Sequence, residues 1–128
     1  DTVLNFAYSV NKFFNLDISH LDGLQYTEYP SNMQGHYDAH MDVDWEGEHG
    51  HLFDRKLSIS IQLSRPDEYE GGDFIFGEGF EGDIKMPPES KQIGSVIAFP
   101  SYLVHKVTPV TSGNRKSLVS WVLGPQWR

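Results

Sequence analysis

Apolar residues at the start of the chain recur every three or four positions. Val3, Phe6, Ala7, Val10, Phe13 and Phe14 share one face of a helical wheel. This predicts an amphipathic helix over 2–15, with its aromatic stripe packed on a sheet. The period then shortens to two. Residues 24–29 read as a strand stopped by Pro30 and the Ser31-Asn32 pair, and 35–43 as a second strand. Over 56–64 the alternation is strict. Leu57, Ile59, Ile61 and Leu63 take one face, and Ser58, Ser60, Gln62 and Ser64 the other, which predicts a strand with one greasy and one polar side.

Further short strands are expected at 73–76, 83–86, 95–99, 103–110 and 116–123. They are separated by the Gly71-Gly72 turn, a glycine-rich turn at 77–82 and the Pro87-Pro88 break. Residues 45–55, rich in acid and glycine, read as a surface loop. There is no internal repeat, low-complexity tract or linker. The expected class is mainly β, a sandwich or jelly roll with an N-terminal helix packed on the sheet.

At 128 residues the chain is expected to be a single domain spanning 1–128. It begins at Asp1 without Met, which fits a trimmed chain lacking N-terminal elements. A hydrophobic share of 38% with 13% aromatics suits a folded globule. The net charge of -8 disfavours a general nucleic-acid binder. No residue is cysteine, so disulfides, thiolate metal sites and a cysteine nucleophile are excluded, and a reducing compartment is suited. No apolar run approaches membrane-spanning length and no signal-peptide pattern is present.

Against this background one spacing carries chemistry. His40 and Asp42 lie two apart, and on a strand such residues point to one face. An imidazole nitrogen and a carboxylate oxygen are thereby offered to one metal. The distant His105 completes a 2-His-1-carboxylate set, the pattern of non-haem Fe(II) oxygenases. Arg115, ten residues on, suits a carboxylate-bearing co-substrate. Of the other histidines, His49 and His51 read as solvated loop residues that could alternatively join His40 in a different site. His20 has no obvious partner, and His36, an even number of positions before His40, is a candidate lining residue.

These residues carry a resemblance. The segments HYDAHMD, RKLSISIQLS, PDEYEGGDF, GSVIAFPSYLVHKVTPVTSGNRKS and SWVLG resemble the Fe(II)/2-oxoglutarate-dependent dioxygenases of the prolyl 4-hydroxylase-like branch, bacterial and phage type. The similarity runs from about Leu24 to Trp121. It implies a double-stranded β-helix, Fe(II) on His40, Asp42 and His105, and 2-oxoglutarate with its distal carboxylate on Arg115. Ser117, in an R-x-S pattern, would add a hydrogen bond. Tyr29 matches a tyrosine whose hydroxyl contacts 2-oxoglutarate, with Tyr26 as its competitor. Gln62 stands where several relatives place a co-substrate tyrosine. Tyr37 and Trp121 would line the substrate side.

The resemblance further implies hydroxylation of a prolyl residue or free proline, with dioxygen consumed and succinate and CO2 released. Ascorbate is an accessory reductant in this picture, and the setting is the cytoplasm of a bacterial or phage-infected cell. The substrate would be a peptide or an amino acid, walled by the 45–55 loop and the 77–82 turn. Three readings compete with it. Demethylation of alkylated nucleobases calls for a second arginine where Trp121 stands. A cupin-like metal-dependent isomerase or hydrolase has no need of Arg115 or Ser117. A non-catalytic metal-binding β-sandwich would have been free to lose a ligand.

Overall fold

The computed structural model describes residues 2–33, 35–43, 53–77 and 82–127, with Tyr37 described in its backbone alone. One helix, α1 (Thr2–Phe14), precedes nine strands. These are β1 (His20–Pro30), β2 (Tyr37–His40), β3 (Phe53–Gln62), β4 (Tyr69–Gly71), β5 (Phe74–Phe76), β6 (Ile84–Lys85), β7 (Val96–Pro100), β8 (His105–Val107) and β9 (Val110–Pro125). No helix among the described residues is long and apolar enough to cross a membrane.

The strands form two antiparallel sheets. The larger has the order β1-β9-β3-β7, with β4 added on the early part of β9; the smaller has the order β2-β8-β5-β6. Neighbours within each sheet come from distant parts of the chain, the arrangement of a double-stranded β-helix. The first strand and the last are thereby laid side by side.

The strict alternation of β3 explains both of its faces. Leu57 and Ile59 are buried with Ala7 of α1 and Val122 of β9, and Val3 and Leu4 pack beside them, so the helix covers the outer face with small and aliphatic residues. The aromatic stripe expected there is instead exposed at Phe6, Phe13 and Phe14. Burial of each aliphatic side chain contributes about 1.5–3 kcal/mol. The polar face is not solvated. Ser58, Ser60 and Gln62 are all buried, and the first two line a cavity between the sheets. A strand with polar residues on its inner side is a strand that serves a site.

Several boundaries differ from the sequence expectation. The second strand stops at His40, so Asp42 sits in the bend after it rather than on the strand. The expected turn at Gly71-Gly72 is preceded by a short strand, β4, that periodicity did not suggest. The last strand begins at Val110, six residues early, running through the turn-like Ser112-Gly113-Asn114. Gly113 makes this possible. Its φ is +76°, and a Cβ there would lie 1.9 Å from the Glu68 carbonyl oxygen, so only glycine lets β4 close on β9.

Candidate active site

His40 and His105 are paired positions in the β2–β8 ladder, which sets their rings side by side with centroids 4.3 Å apart. Each ring is oriented from behind. His40 Nδ1 is 2.7 Å from the Asp38 carbonyl oxygen, and His105 Nδ1 is 2.9 Å from that of Leu103. With Nδ1–H donating to a carbonyl, the neutral ring presents the Nε2 lone pair forward.

Asp42 reaches the same point by a different route. Its backbone N–H donates to the Ser101 carbonyl at 3.0 Å, which fixes the bend after β2. Its Oδ1 lies 3.3 Å from His40 Nε2 and 3.4 Å from His105 Nε2. Its Oδ2 accepts hydrogen bonds from Ser58 Oγ at 2.5 Å and Trp121 Nε1 at 3.1 Å. Ser58 and Trp121 are register partners on β3 and β9, so one rung of the sheet supplies both donors. Ser58 also bonds Ser101 Oγ at 2.9 Å, tying the clamp to the bend.

One ligand atom from each of His40, Asp42 and His105 lies within 4.8 Å of the others. Two imidazole nitrogens and one carboxylate oxygen suit Fe(II) and leave coordination positions open. The charges are mutually adjusted. Burial pushes the Asp42 carboxyl up, but hydrogen bonding with His105, His40 and Ser58 outweighs it and holds it far below the usual carboxylate range. The hydrogen bond to Asp42 raises His40 above the ordinary histidine value, against the lowering effect of burial. The carboxylate is therefore ionised and ready as a ligand, and metal binding calls for the neutral form of His40.

These three residues open onto a cavity of about 310 Å³ that also holds Tyr29, Arg115 and Trp121. Arg115 is 4% exposed, and no carboxylate pairs with it among the described residues. Its guanidinium lies 5.0 Å from the centre of the Tyr29 ring, its cross-strand neighbour on β1. A buried cation without a counter-ion is costly. Two residues along β9, Ser117 Oγ is fully buried and has no hydrogen-bond partner. An acidic ligand in the cavity would supply Arg115 with a counter-ion, so the residues present fit a carboxylate-bearing co-substrate.

The remaining expectations divide. Tyr29 is buried and lines the cavity, whereas Tyr26 is exposed on the opposite face with its hydroxyl on Glu28 Oε1 at 2.8 Å. Trp121 lines the cavity. Gln62 stands at the edge of a second, smaller cavity that also touches Arg115. His36 is apart from the three converging residues, with Nε2 3.3 Å from the exposed Asp38 carboxylate. His20, given no partner in the sequence, bonds Ser19 Oγ at 2.7 Å and meets the edge of Phe53. The Tyr37 side chain, His49, His51, most of the 45–55 loop and much of the 77–82 turn lie outside the described residues.

Three contributors escaped sequence reading. Ser58 was seen as one polar position among four. Phe74 stacks parallel to His105 with centroids 5.5 Å apart, backing the ring. Arg55 lines the cavity with its guanidinium 3.9 Å from the Trp121 ring centre. Strict alternation places Lys56, not Arg55, beside Ser58. A register shift between Arg55 and Leu57 exchanges them. Lys56 instead turns its ammonium onto the Trp127 ring, 3.7 Å from its centre.

Comparison with known proteins bears on this geometry. The family model of the 2OG-Fe(II) oxygenase superfamily matches residues 24–123. A PKHD-type hydroxylase of Crocosphaera subtropica is 36% identical over 121 residues, covering 91% of this chain and 50% of the relative. The chain thus spans about half the length of that curated relative, and 40% and 28% of two further PKHD-type hydroxylases, of Thioalkalivibrio sulfidiphilus and Stenotrophomonas maltophilia. Among solved structures, a Pseudomonas putida prolyl-4-hydroxylase superposes with a TM-score of 0.71 at 18% identity, covering 97% of this chain and 63% of the other. The viral collagen prolyl hydroxylase of Paramecium bursaria Chlorella virus-1, solved with 2OG, gives 0.69 at 20% identity, covering 95% and 71%. At such identities the likeness speaks for the fold.

Proposed function

This chain belongs to the 2OG-Fe(II) oxygenase superfamily, and on that premise we propose that it hydroxylates a prolyl residue using Fe(II), 2-oxoglutarate and dioxygen. The observation that carries the reading is the buried Arg115, which meets no carboxylate among the described residues, in the same cavity as His40, Asp42 and His105. A cupin-like isomerase or hydrolase has no use for such an arginine. An oxygenase that consumes a dicarboxylic keto acid does.

In this reading His40, Asp42 and His105 hold the iron. Once bound, iron couples oxidative decarboxylation of 2-oxoglutarate to oxidation of a substrate C–H bond, with succinate and CO2 released. Arg115 takes the distal carboxylate in a bidentate fork, and Ser117 donates a further hydrogen bond to it. Tyr29 packs on the guanidinium and holds its plane. Ser58 and Trp121 donate to Asp42 Oδ2, which would leave Oδ1 available to a metal held by the three residues. Phe74 and Phe99, packed around His105, exclude water from that side.

The prolyl choice is supported by the PKHD-type relative and by the two prolyl hydroxylases that share the fold. A peptide fits better than free proline, since one of those enzymes acts on collagen. A cytoplasmic setting belongs to the same proposal, supported by a cysteine-free sequence and by chemistry that starts from ferrous iron.

The test is an anaerobic titration of 2-oxoglutarate into Fe(II)-loaded protein, followed by admission of air with proline-containing peptides. A saturable visible charge-transfer band, then succinate and a peptide heavier by one oxygen, is the expected result. Iron binding without the band would favour the cupin-like alternative.

A further inference from the structure

We infer that Tyr69, held by Gln62, is a further co-substrate residue, donating its hydroxyl proton to the carboxylate that Arg115 takes. This rests on the functional reading above and extends it to a side chain on β4.

Tyr69 is 6% exposed and Gln62 is 4% exposed. Gln62 Nε2 donates to the Ser64 carbonyl at 3.2 Å and to Tyr69 Oη at 2.8 Å. The Ser64 carbonyl accepts only, so it fixes which end of the amide is nitrogen. The phenol oxygen is therefore the acceptor in the Gln62 bond, and its own proton points elsewhere. Among the described residues no acceptor takes that proton. A buried hydroxyl with an unspent donor calls for a ligand.

Its surroundings say which ligand. Tyr69, Gln62 and Arg115 border one small cavity of about 20 Å³, and Arg115 also borders the large one. Gly72 separates the tyrosine from the arginine. A Cβ there would stand 3.0 Å from Arg115 Cδ and 3.4 Å from Tyr69 Cε2, so the two side chains close on a bare backbone. Gln62 is also the register partner of Ser117, whose hydroxyl is the other orphan. Lys91 and Lys85 border the same cavity and share the Asp73 carboxylate, at 2.5 and 3.3 Å. Arg115 meets no carboxylate among the described residues, and the Tyr69 and Ser117 hydroxyls have no acceptor there. That set matches a single carboxylate group.

Tyr69 would touch the co-substrate; Gln62 is a positioning residue.

The experiment is calorimetric titration of Mn(II)-loaded protein with 2-oxoglutarate and, separately, with its C5 methyl ester. For Tyr69→Phe we expect about tenfold weaker binding of the diacid, unchanged binding of the ester and unchanged Mn(II) affinity. For Gln62→Met, which leaves the hydroxyl unheld, we expect a smaller loss on the diacid alone. The double variant should be no worse than Tyr69→Phe. Wild-type-like diacid affinity in Tyr69→Phe, or equal losses for diacid and ester, overturns the inference and leaves the functional reading standing. Wild-type protein that binds no 2-oxoglutarate overturns both. Should Tyr69→Phe fail to fold, diacid-selective loss in Gln62→Met supports the inference and its absence refutes it.

Discussion

Trp121 donates its indole N–H to Asp42 Oδ2 across 3.1 Å, joining residues 79 positions apart in the chain. With Ser58 on the same oxygen, the carboxylate has one free oxygen facing the two histidines. Trp121→Phe keeps the ring and removes the donor. Metal affinity should fall by about tenfold, the lower end for a group that orients a ligand, because Ser58 remains. A competition titration with a chelator of known affinity measures it. Unchanged affinity would show that the indole serves packing alone.

Arg115 is buried and meets no counter-ion among the described residues, so function and stability should pull apart there. Arg115→Met replaces a desolvated cation by an apolar chain of similar length. The ligand-free variant should be more stable by about 1 kcal/mol, raising Tm by roughly 4 °C, while 2-oxoglutarate binding is lost and metal binding kept. Scanning calorimetry and a metal titration read both. A lower Tm would mean that the stacking on Tyr29 outweighs the desolvation.

The helix is held by few residues. Leu57 is fully buried beneath α1 with Ala7, Ile59 and Val122. Leu57→Ala should cost about 2–5 kcal/mol. In urea unfolding the midpoint should drop with little change in slope. A loss under 1 kcal/mol would show that α1 contributes little to this core.

Asp73 joins β5 to the Pro87-Pro88 segment through Lys91 at 2.5 Å and Lys85 at 3.3 Å. Burial pushes its carboxyl up, but the two ammonium groups outweigh it and hold the group below the usual range. A depressed folded pKa contributes stability that is fully present above the unfolded value near 3.9 and disappears as pH falls through the folded value. Asp73→Asn should therefore be less stable than wild type by about 1 kcal/mol at neutral pH. The two proteins should converge as pH falls through the folded value of Asp73. A difference independent of pH would place the effect in packing rather than charge.

The sequence was most legible where one physical rule acts alone. Helix α1 and the alternating strand β3 follow from period, and both stand within a few residues of their expected bounds. The His40, Asp42 and His105 set was visible as spacing, but the reason offered for it was incomplete. Asp42 lies beyond the strand, placed by its backbone bond to Ser101. Tertiary pairings of this kind leave no local mark. Arg55 was hidden by a register shift, and Tyr69 by a three-residue strand too short to show a period. The serines of β3 were visible as a polar side, but alternation does not reveal what lies over it. The six-residue extension of β9 was masked by Ser112-Gly113-Asn114, which looks like a turn when its partner is unseen.

The central position of β9 has a consequence for how the molecule comes into being. This last strand lies between β1 and β3 and also carries Arg115, Ser117 and Trp121. The hydrogen-bonding edge of β1 waits for partners that are synthesised nearly a full chain later. Loops of that length close slowly, and nothing local rewards the wait. During translation β3 and β7 can pair first, leaving an open seam. When β9 fills the seam it completes the sheet, delivers the guanidinium and clamps Asp42 in the same step. Completion of the sheet and delivery of Arg115 and Trp121 to the cavity are then one event, whereas His40, Asp42 and His105 are brought together by β2 and β8.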